Sequence, residues 1–307
     1  MAAPPPDERA LRYFLAVTRS GSIRGAAAAL GVAASAISRQ VAELEALLGQ
    51  PLLERLPRGV QPTEAGRAVA EHARAQEEAT AALRERLHRL RGGAEGTVRL
   101  CCGDGFLPGL LEEGLAGFAA AHPGLRFVLL HGGTDRVLEA VAEGEAELGL
   151  AYNPPAHPAL VSAARARQPL LALLPAGMAA PAAPVPLSAL AEQPCALLFP
   201  GHGIRHLLAR VEADGGFRLA PRLETGSVET LRRFVLSGMG LTFLPGFAAA
   251  RELAEGRLHA VELADPLLAE ASAHLLHRAA RPLPAAAALL LEHLARHLSL
   301  FAGIARF

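Results

Sequence analysis

The chain has 307 residues, a length that allows two or three domains with buried cores, and its formal net charge is zero. A neutral chain has no general attraction for nucleic acid, so any such surface has to be local. Three cysteines are too few for a disulfide framework and favour a reducing compartment. No stretch reaches the ~20 apolar residues of a membrane helix, and the first residues lack a signal-peptide pattern. We therefore expect a cytoplasmic protein that has no membrane partner.

Residues 1–6 form a Pro-rich tail, and a first helix is predicted over residues 7–19. Its apolar residues recur at helical spacing, as expected of a helix that packs against a small core. Ser20 and Gly21 end the helix. The apolar residues are Leu11, Phe14, Leu15 and Val17.

Two short helical patterns then meet at a glycine. Apolar residues recur three and four positions apart over residues 23–30, Gly31 breaks this run, and a second apolar face follows over residues 37–48. Helices joined by so short a turn cross steeply, so the second projects as a recognition helix does. Residues 51–60 contain Pro, Arg and Gly in a short β-like excursion. The pattern predicts a winged helix-turn-helix DNA-binding domain over residues 1–62.

A long helix is predicted over residues 63–91, where Gly92 ends it. At ~1.5 Å per residue it would be about 43 Å long, too long to be covered by the preceding domain. Its recurring positions step mostly by three and four and many are small, which favours a dimerising linker paired with a second copy of itself. A solvated spacer helix is the alternative. The recurring positions are Ala65, Val69, His72, Gln76, Ala79, Leu83, Leu87 and Leu90.

Four segments resemble the LysR-type transcriptional regulators in order and spacing: LRYFLAV, GSIRGAA, ISRQVAELEALLGQPLLER and PTEAG. The resemblance implies a protein that is not an enzyme, binds double-stranded operator DNA and a small-molecule effector, and has RNA polymerase as a partner. It also implies self-association as a dimer or tetramer and no cofactor. After the linker it implies a two-lobed, periplasmic-binding-protein-like (type 2) α/β effector domain.

The resemblance also places the DNA-binding residues. Where the family commonly has Ser-Gln-Pro, this chain has Ala33, Ala34 and Ser35. Because alanine cannot cap a helix as serine does, we expect Ser35 to supply the cap. The DNA-binding residues implied by the resemblance are Ala34, Ser35, Ser38 and Arg39 on the recognition helix, and Arg55 and Arg58 in the wing.

From residue 96 onward, short β-rich runs alternate with helical ones, which implies parallel sheets with helical crossovers. GGTDRVLEAVAEGEAELGLA and TGSVETLRRFVLSGMGLTFLP share one order of glycine, hydroxyl residue, apolar positions and closing strand. Two such units predict two lobes with a cleft between them. We expect an effector domain over residues 92–307, with lobe I at about 92–166 and 271–307 and lobe II at about 167–270. Strands are expected at TVRLCC, LRFVLL, AELGLAY, PLLALLP, CALLFP, LTFLP and LHAVEL, helices near 108–121, 134–143, 203–213, 227–237 and 284–299, and lobe crossings near 165–168 and 266–273.

The cleft is the predicted effector site, because open α/β sheets bind ligands beyond the carboxyl ends of their strands. Thr134 and Ser227 are placed to cap helices there, and Asp104 either caps the helix that follows it or selects an amine. Helix N-terminal amides and hydroxyls favour a small anionic or carbonyl-bearing metabolite. The predicted effector-binding residues are Gly103, Asp104, Gly105, Phe106, Thr134, Gly201, His202, Gly203, Ile204, Thr225 and Ser227.

Other chemistries fit the sequence less well. The glycine-rich run over residues 103–109 resembles a dinucleotide-binding loop, but its third glycine is one place late and no acidic partner is evident. Histidine pairs at 202/206 and 293/297 lack a third ligand, so no metal site is expected. Arg205 suits a ligand carboxylate or a solvated helix face. The alternatives are a solute-binding protein and a hydrolase or thiol-dependent redox sensor that uses Cys101, Cys102 or Cys195.

Overall fold

A computed structural model describes residues 5–56, 59–89, 96–179 and 181–302. The chain divides into two compact units, Met1–Leu87 and His88–Phe307. Within the described ranges, no helix combines the length and the apolar character needed to cross a membrane.

The first unit is a helical domain with a small β-hairpin. Apolar residues of its first and third helices are buried together with Leu52, and Leu48 at the end of the third helix is 38% exposed. The four predicted core residues of the first helix are all buried, which confirms that part of the prediction. The elements are α1 (Glu8–Ser20), α2 (Ile23–Leu30), α3 (Ala34–Leu48), β1 (Leu53–Leu56), β2 (Gly59–Pro62) and α4 (Glu64–Arg89).

The turn between α2 and α3 has the predicted glycine but not the predicted cap. Gly31 adopts a left-handed conformation, with φ of 65°, and its N–H bonds back to α2. Ala33 is the N-cap of α3 and no side chain caps this helix, whereas Ser35 lies within it. The expectation that Ser35 caps α3 is therefore wrong, because the helix already begins at Ala34.

The predicted wing is an antiparallel hairpin of β1 and β2, joined closely to α4. The Oγ1 of Thr63 accepts a hydrogen bond from the N–H of Gly66 at 2.9 Å and donates to the carbonyl of Pro51 at 2.8 Å. A Cβ on Gly66 would collide with the carbonyl oxygen of Leu52. The PTEAG segment thus supplies a helix cap and a glycine that permits this close approach.

The second unit contains two five-stranded sheets, one in each lobe. Their strand orders are β4-β3-β5-β12-β6 in lobe I and β11-β7-β10-β8-β9 in lobe II. Lobe I comprises β3 (Gly96–Cys102), β4 (Leu125–His131), β5 (Leu148–Tyr152), β6 (Leu160–Arg167) and β12 (Ser272–Arg278); lobe II comprises β7 (Leu170–Pro175), β8 (Cys195–Leu198), β9 (Pro221–Thr225), β10 (Leu241–Pro245) and β11 (Leu258–Glu262).

The sheets are mixed rather than purely parallel. Parallel pairing holds for β3 with β4 and β5, and for β8 with β9 and β10, as the alternating pattern predicts. However, β12 runs antiparallel to β5 and β6, and β7 runs antiparallel to β10 and β11. The prediction of parallel sheets was wrong for these pairs because the chain enters and leaves lobe II through them.

Helices cover the sheets at the predicted places, and two further short helices, α10 and α11, were not predicted. The crossings after β6 and β11 lie side by side, since the N–H of Gln168 bonds to the carbonyl of Ala271 at 2.8 Å. The helices are α5 (Leu107–Gly109), continued by a π-helix (Leu110–Leu115) and α6 (Ala116–Ala121), then α7 (Thr134–Ala142), α8 (Gly203–Gly215), α9 (Val228–Leu236), α10 (Ala250–Ala254), α11 (Pro266–Ala269) and α12 (Ala285–His297).

Candidate functional site

The ends of strands from both lobes meet at one small pocket, which we call the cleft. The turn after β3 and the first residue of α7 come from lobe I, and the first turns of α8 and α9 come from lobe II. The cleft has a volume of about 40 Å³. Of the predicted effector-binding residues, Gly103, Asp104, Gly105, Phe106, Thr134, His202, Gly203 and Ile204 line it, while Gly201, Thr225 and Ser227 stand beside lining residues without lining it.

Thr134 joins the two lobes. Its hydroxyl accepts a hydrogen bond from the N–H of Gly203 at 2.9 Å and donates to the carbonyl of Tyr152 at 3.2 Å. The expectation that Thr134 caps its own helix is wrong, because Gly133 is the N-cap of α7 and Thr134 is the first residue inside the helix. The side chain instead satisfies an N-terminal amide of α8 in the opposite lobe.

Asp104 makes a second connection between the lobes. Its Oδ2 accepts a hydrogen bond from the N–H of Val228, the first residue of α9, at 3.2 Å. Its Oδ1 contacts the Nε2 of His131. Of the two roles expected for Asp104, capping of the helix that follows it is wrong, because the carboxylate reaches across the cleft to α9. Ser227, by contrast, caps α9 as expected and accepts a hydrogen bond from the N–H of Thr230.

Backbone contacts complete the closure of the lobes. The N–H of Asp135 donates to the carbonyl of Gly201 at 3.1 Å. A Cβ on Gly203 would collide with the carbonyl of Tyr152 and approach Thr134. Glycine at this position therefore permits the helix N-terminus of lobe II to approach the strand end of lobe I.

Sequence reasoning found Phe106 and Ile204 but missed the other apolar residues of the cleft. Tyr152 and Phe247 both line it, with ring centroids 6.4 Å apart, and Phe247 lies 4.9 Å from the ring of Phe106. Burial raises the pKa of the Tyr152 hydroxyl, which donates to the carbonyl of Gln168 at 2.7 Å. The available signal was the position of these residues at the carboxyl ends of β5 and β10, the same rule that identified the other lining residues.

The polar residues at the start of α8 and at its N-cap, His202, have partners within the protein. Arg205 forms an ion pair with the buried Glu212 at 2.5 Å, so the expectation that it faces a ligand or solvent is wrong. The Nδ1 of His202 is 3.0 Å from the carbonyl of Phe199, and His206 pairs with Asp135 at 3.5 Å. Across the residues that the structure describes, no group of three metal-binding side chains is present.

The three cysteines are free and fully buried in strands. Burial is the main cause that raises the thiol pKa, to about 11 for Cys101, about 12 for Cys102 and about 11 for Cys195. Thiols with such pKa values are almost entirely protonated near neutral pH, and the protonated form is a poor nucleophile. Their environment is that of structural cysteines.

In the first unit, the residues predicted to bind DNA are exposed on α3. Ser35 and Ser38 are exposed and Ala34 is partly exposed. The Arg39 side chain is 74% exposed, with its Nε 3.9 Å from Glu43. In the wing, the backbone of Arg55 belongs to β1, whereas Arg58 lies outside the described residues.

Two family models match most of the chain. One, described as "LysR substrate binding domain", matches residues 91–299, and another, described as "Bacterial regulatory helix-turn-helix protein, lysR family", matches residues 9–67. The chain belongs to the LysR family of transcriptional regulators. It is a DNA-binding regulator with an effector-binding domain.

Similar proteins span nearly the whole chain. The "Probable hydrogen peroxide-inducible genes activator" of Mycobacterium avium is 35% identical over 268 residues, which are 85% of each protein. A full-length OxyR point variant from Pseudomonas aeruginosa shares the fold with a TM-score of 0.69 and 21% identity, covering 97% of each chain. CbnR complexed with its target DNA also shares the fold, with a TM-score of 0.56 and 23% identity over 94% of this chain and 99% of that one.

Proposed function

We propose that this LysR-family regulator binds duplex DNA with the exposed face of α3 and with its wing, and that a small effector in the cleft changes promoter activity. Ser35, Ser38 and Arg39 give α3 exposed hydrogen-bonding side chains of the kinds that read base edges in the major groove. The hydrogen bond between Thr134 and Gly203 carries the effector assignment. It joins the two lobes at a helix N-terminus, so a ligand that replaces it changes how the lobes close.

The polar groups of the cleft favour an anionic or carbonyl-bearing effector. The N–H groups of Gly203 and Val228 lie at the starts of α8 and α9, where helix dipoles favour negative charge. Side-chain oxygens of Thr134 and Asp104 accept hydrogen bonds from these amides. An oxygen of the effector would replace them as the acceptor. A volume of about 40 Å³ holds only a few water-sized groups. A larger metabolite would therefore bind only after the lobes part.

The cysteine environment favours this cleft mechanism over thiol chemistry. The Mycobacterium avium relative is named as a probable activator of hydrogen peroxide-inducible genes. A cysteine that senses hydrogen peroxide is oxidised by it, and this oxidation requires an accessible thiolate. In this chain burial raises the pKa of all three thiols to about 11 or 12. We therefore propose a non-catalytic regulator whose signal is a reversibly bound metabolite, rather than a redox sensor or a hydrolase.

The proposal extends to assembly and location. Leu83 is a large apolar side chain that is 56% exposed on the long helix α4, which supports pairing of this helix with a second copy. We propose a cytoplasmic dimer or tetramer that places two DNA-binding domains on adjacent half-sites and acts on RNA polymerase. The proposed linker over residues 63–91 would join these domains to effector domains beginning at residue 92.

The DNA-binding proposal is tested by Arg39→Ala. Bound sequences are first selected from random duplexes with the parent protein, and affinities for the selected site and a scrambled site are then measured at one salt concentration. Loss of a base contact costs about 1–3 kcal/mol, so Arg39→Ala should weaken binding to the selected site roughly ten-fold and change scrambled-site binding less. Arg296→Ala is the matched control, because Arg296 forms an equivalent exposed i,i+4 pair with Glu292 on α12. Equal affinity of parent and Arg39→Ala for the selected site would refute this role for α3.

A further inference from the structure

A second and larger pocket lies between the lobes, and we call it the groove. Its volume is about 670 Å³, against about 40 Å³ for the cleft. The lobe I side is formed by the turn after β3, by α5, by the middle of the π-helix and by residues 299–300. The lobe II side is formed by α9 and α10. A pocket of this volume accommodates a small organic molecule without further separation of the lobes.

An aromatic wall separates the groove from the cleft. Gly105, Phe106 and Phe247 line both pockets, and the rings of Phe106 and Phe247 are 4.9 Å apart between centroids. The two pockets are therefore distinct sites that share one wall.

The charges around the groove balance. Its lining includes four arginines and four glutamates, so it has no net formal charge. Arg232 and Arg233 both pair with Glu229, while Arg251 and Arg257 pair with Glu255. An ion with a single strong charge gains little from such a surface, whereas a neutral molecule with separated positive and negative groups matches it.

Two buried atoms of opposite hydrogen-bonding character lack partners in this lining. The Glu252 side chain is 9% exposed, and its Oε1 is 3.5 Å from the Nη1 of Arg232. Among the residues that the structure describes, neither the Oε2 of Glu252 nor the Nε of Arg232 has a hydrogen-bond partner. An acceptor and a donor are thus left unsatisfied on neighbouring side chains, which is rare and costly in a protein interior.

We propose that the groove is a second ligand-binding site, for a small zwitterion of the α-amino-acid type. Its ammonium group donates to the Oε2 of Glu252 and its carboxylate accepts from the Nε of Arg232, so both unsatisfied atoms gain charge-assisted hydrogen bonds. Both atoms are shielded from solvent, and a rotation of the Arg232 side chain opens them to the ligand. The apolar part of the ligand packs against Phe106 and Phe247.

Intrinsic fluorescence offers a direct test, because the chain contains no tryptophan. Phe247→Trp places one reporter in the shared wall of the full-length protein. This protein is titrated with each of the common non-aromatic α-amino acids and, for each one that binds, with the amine lacking the carboxylate and the carboxylic acid lacking the amino group. We expect at least one amino acid to bind with millimolar or tighter affinity and both half-molecules to bind at least ten-fold more weakly.

Variants in the same background locate the site. Glu252→Gln keeps the shape of the side chain but removes its charge, and should weaken amino-acid binding at least ten-fold. Thr134→Val removes a hydrogen bond between the lobes that lies in the cleft, so it should weaken amino-acid binding less than Glu252→Gln does. Circular dichroism melting confirms that each variant is folded, and Arg232→Met provides a second groove variant if Glu252→Gln unfolds.

Three results would overturn the assignment. One is the absence of binding by any amino acid at 10 mM, a concentration far above the expected dissociation constants ~1 mM for a weak specific site. Another is equal binding by one of the half-molecules, which would mean that the groove is not selective for a zwitterion. The third is binding that Thr134→Val abolishes and Glu252→Gln preserves, which would move the ligand to the cleft. Only this third result would bear on the effector site proposed above.

Discussion

At the scale of single residues, the hydroxyl of Thr134 shows how one side chain links the lobes. It bonds to an amide of lobe II and a carbonyl of lobe I, and valine would keep its volume while leaving both groups unpaired. Buried groups left in this state cost about 1–3 kcal/mol. The penalty falls on the closed arrangement, because the amide and the carbonyl regain water when the lobes part.

We expect Thr134→Val to speed amide hydrogen exchange at Gly203 and the residues after it, measured by mass spectrometry on the full-length protein. An increase of roughly five-fold or more corresponds to the lower end of that energy range. Thr242→Val is the matched control, since the Thr242 hydroxyl is also buried but bonds to Ala196 within lobe II. Identical exchange around Gly203 in parent and Thr134→Val would show that this hydroxyl does not hold the lobes together.

The cysteines permit a second test at the same scale. A thiol pKa of about 11 or 12 leaves on the order of one molecule in ten thousand or fewer as thiolate at pH 7. Because these pKa values are raised, the thiolate fraction stays small until the pH approaches 11. We expect iodoacetamide and hydrogen peroxide to leave all three cysteines of the native protein unmodified after an hour at pH 7, as judged by intact mass.

The same reagents should modify all three cysteines in guanidinium chloride, which removes the burial that raises their pKa. A cysteine-free variant that folds should also keep its DNA binding. Rapid oxidation of Cys195 in the native protein would instead reopen the thiol-sensor alternative.

At the scale of elements, the wing and α4 depend on one close backbone contact. Alanine normally stabilises a helix relative to glycine by up to about 1 kcal/mol. At Gly66 we expect alanine to destabilise the protein instead, because the added Cβ would collide with the carbonyl oxygen of Leu52. Relieving such a collision shifts the backbone, at a cost of typically about 1–3 kcal/mol.

Gly66→Ala should therefore lower the free energy of unfolding of the DNA-binding domain by about 1–3 kcal/mol, measured by urea unfolding of the full chain with helical circular dichroism. Gly117→Ala in α6 is the control, because a Cβ there has nothing within 4 Å. That change should be neutral or stabilising. A Gly66→Ala protein as stable as the parent would show that the hairpin moves away from α4 at little cost.

At the scale of the whole molecule, α4 presents the surface on which assembly is proposed. Ala65 and Val69 are partly buried against the helix-turn-helix core, but the recurring positions from His72 to Leu83 are exposed. The recurring positions of α4, which we call the seam, thus begin in the domain core and continue along an exposed face of the helix. The proposal is that a second copy of α4 covers this exposed part. The side chain of Leu87 lies outside the described residues, as does Leu90.

Replacing Leu83 and Leu87 together by glutamate should shift the protein toward monomer. Two like charges on each helix would face their copies in a desolvated contact, which is strongly unfavourable. Light scattering measures the mass, and DNA affinity should fall with it because paired half-sites are no longer bound together. Ala68→Glu adds a charge at an exposed position outside the seam and should remain assembled. If the double variant has the parent's mass, the subunits associate through another surface.

Much of the architecture followed from local sequence patterns. The spacing of apolar residues located α1, α2 and α3, and Gly31 marked the turn, because helix periodicity and left-handed glycine are properties of short segments. Strand ends followed by helix starts identified eight residues that line the cleft. That rule depends only on the order of elements in an α/β sheet.

Tertiary structure decided which groups each of these residues contacts. Thr134 and Asp104 both resemble caps for their own helices in the sequence, yet each bonds to a helix start in the opposite lobe. Arg205 pairs with Glu212, and β7 and β12 run antiparallel to neighbours that local patterns could not identify. Apart from Arg205 and Glu212, which lie seven residues apart in α8, these partners are distant along the chain. Their hydrogen bonds and strand directions are fixed only when folding brings both partners together. The amino-acid order therefore determined most of the helices and strands, although β6, β9 and β12 were not predicted. The packing of the two lobes determined how their polar groups are satisfied.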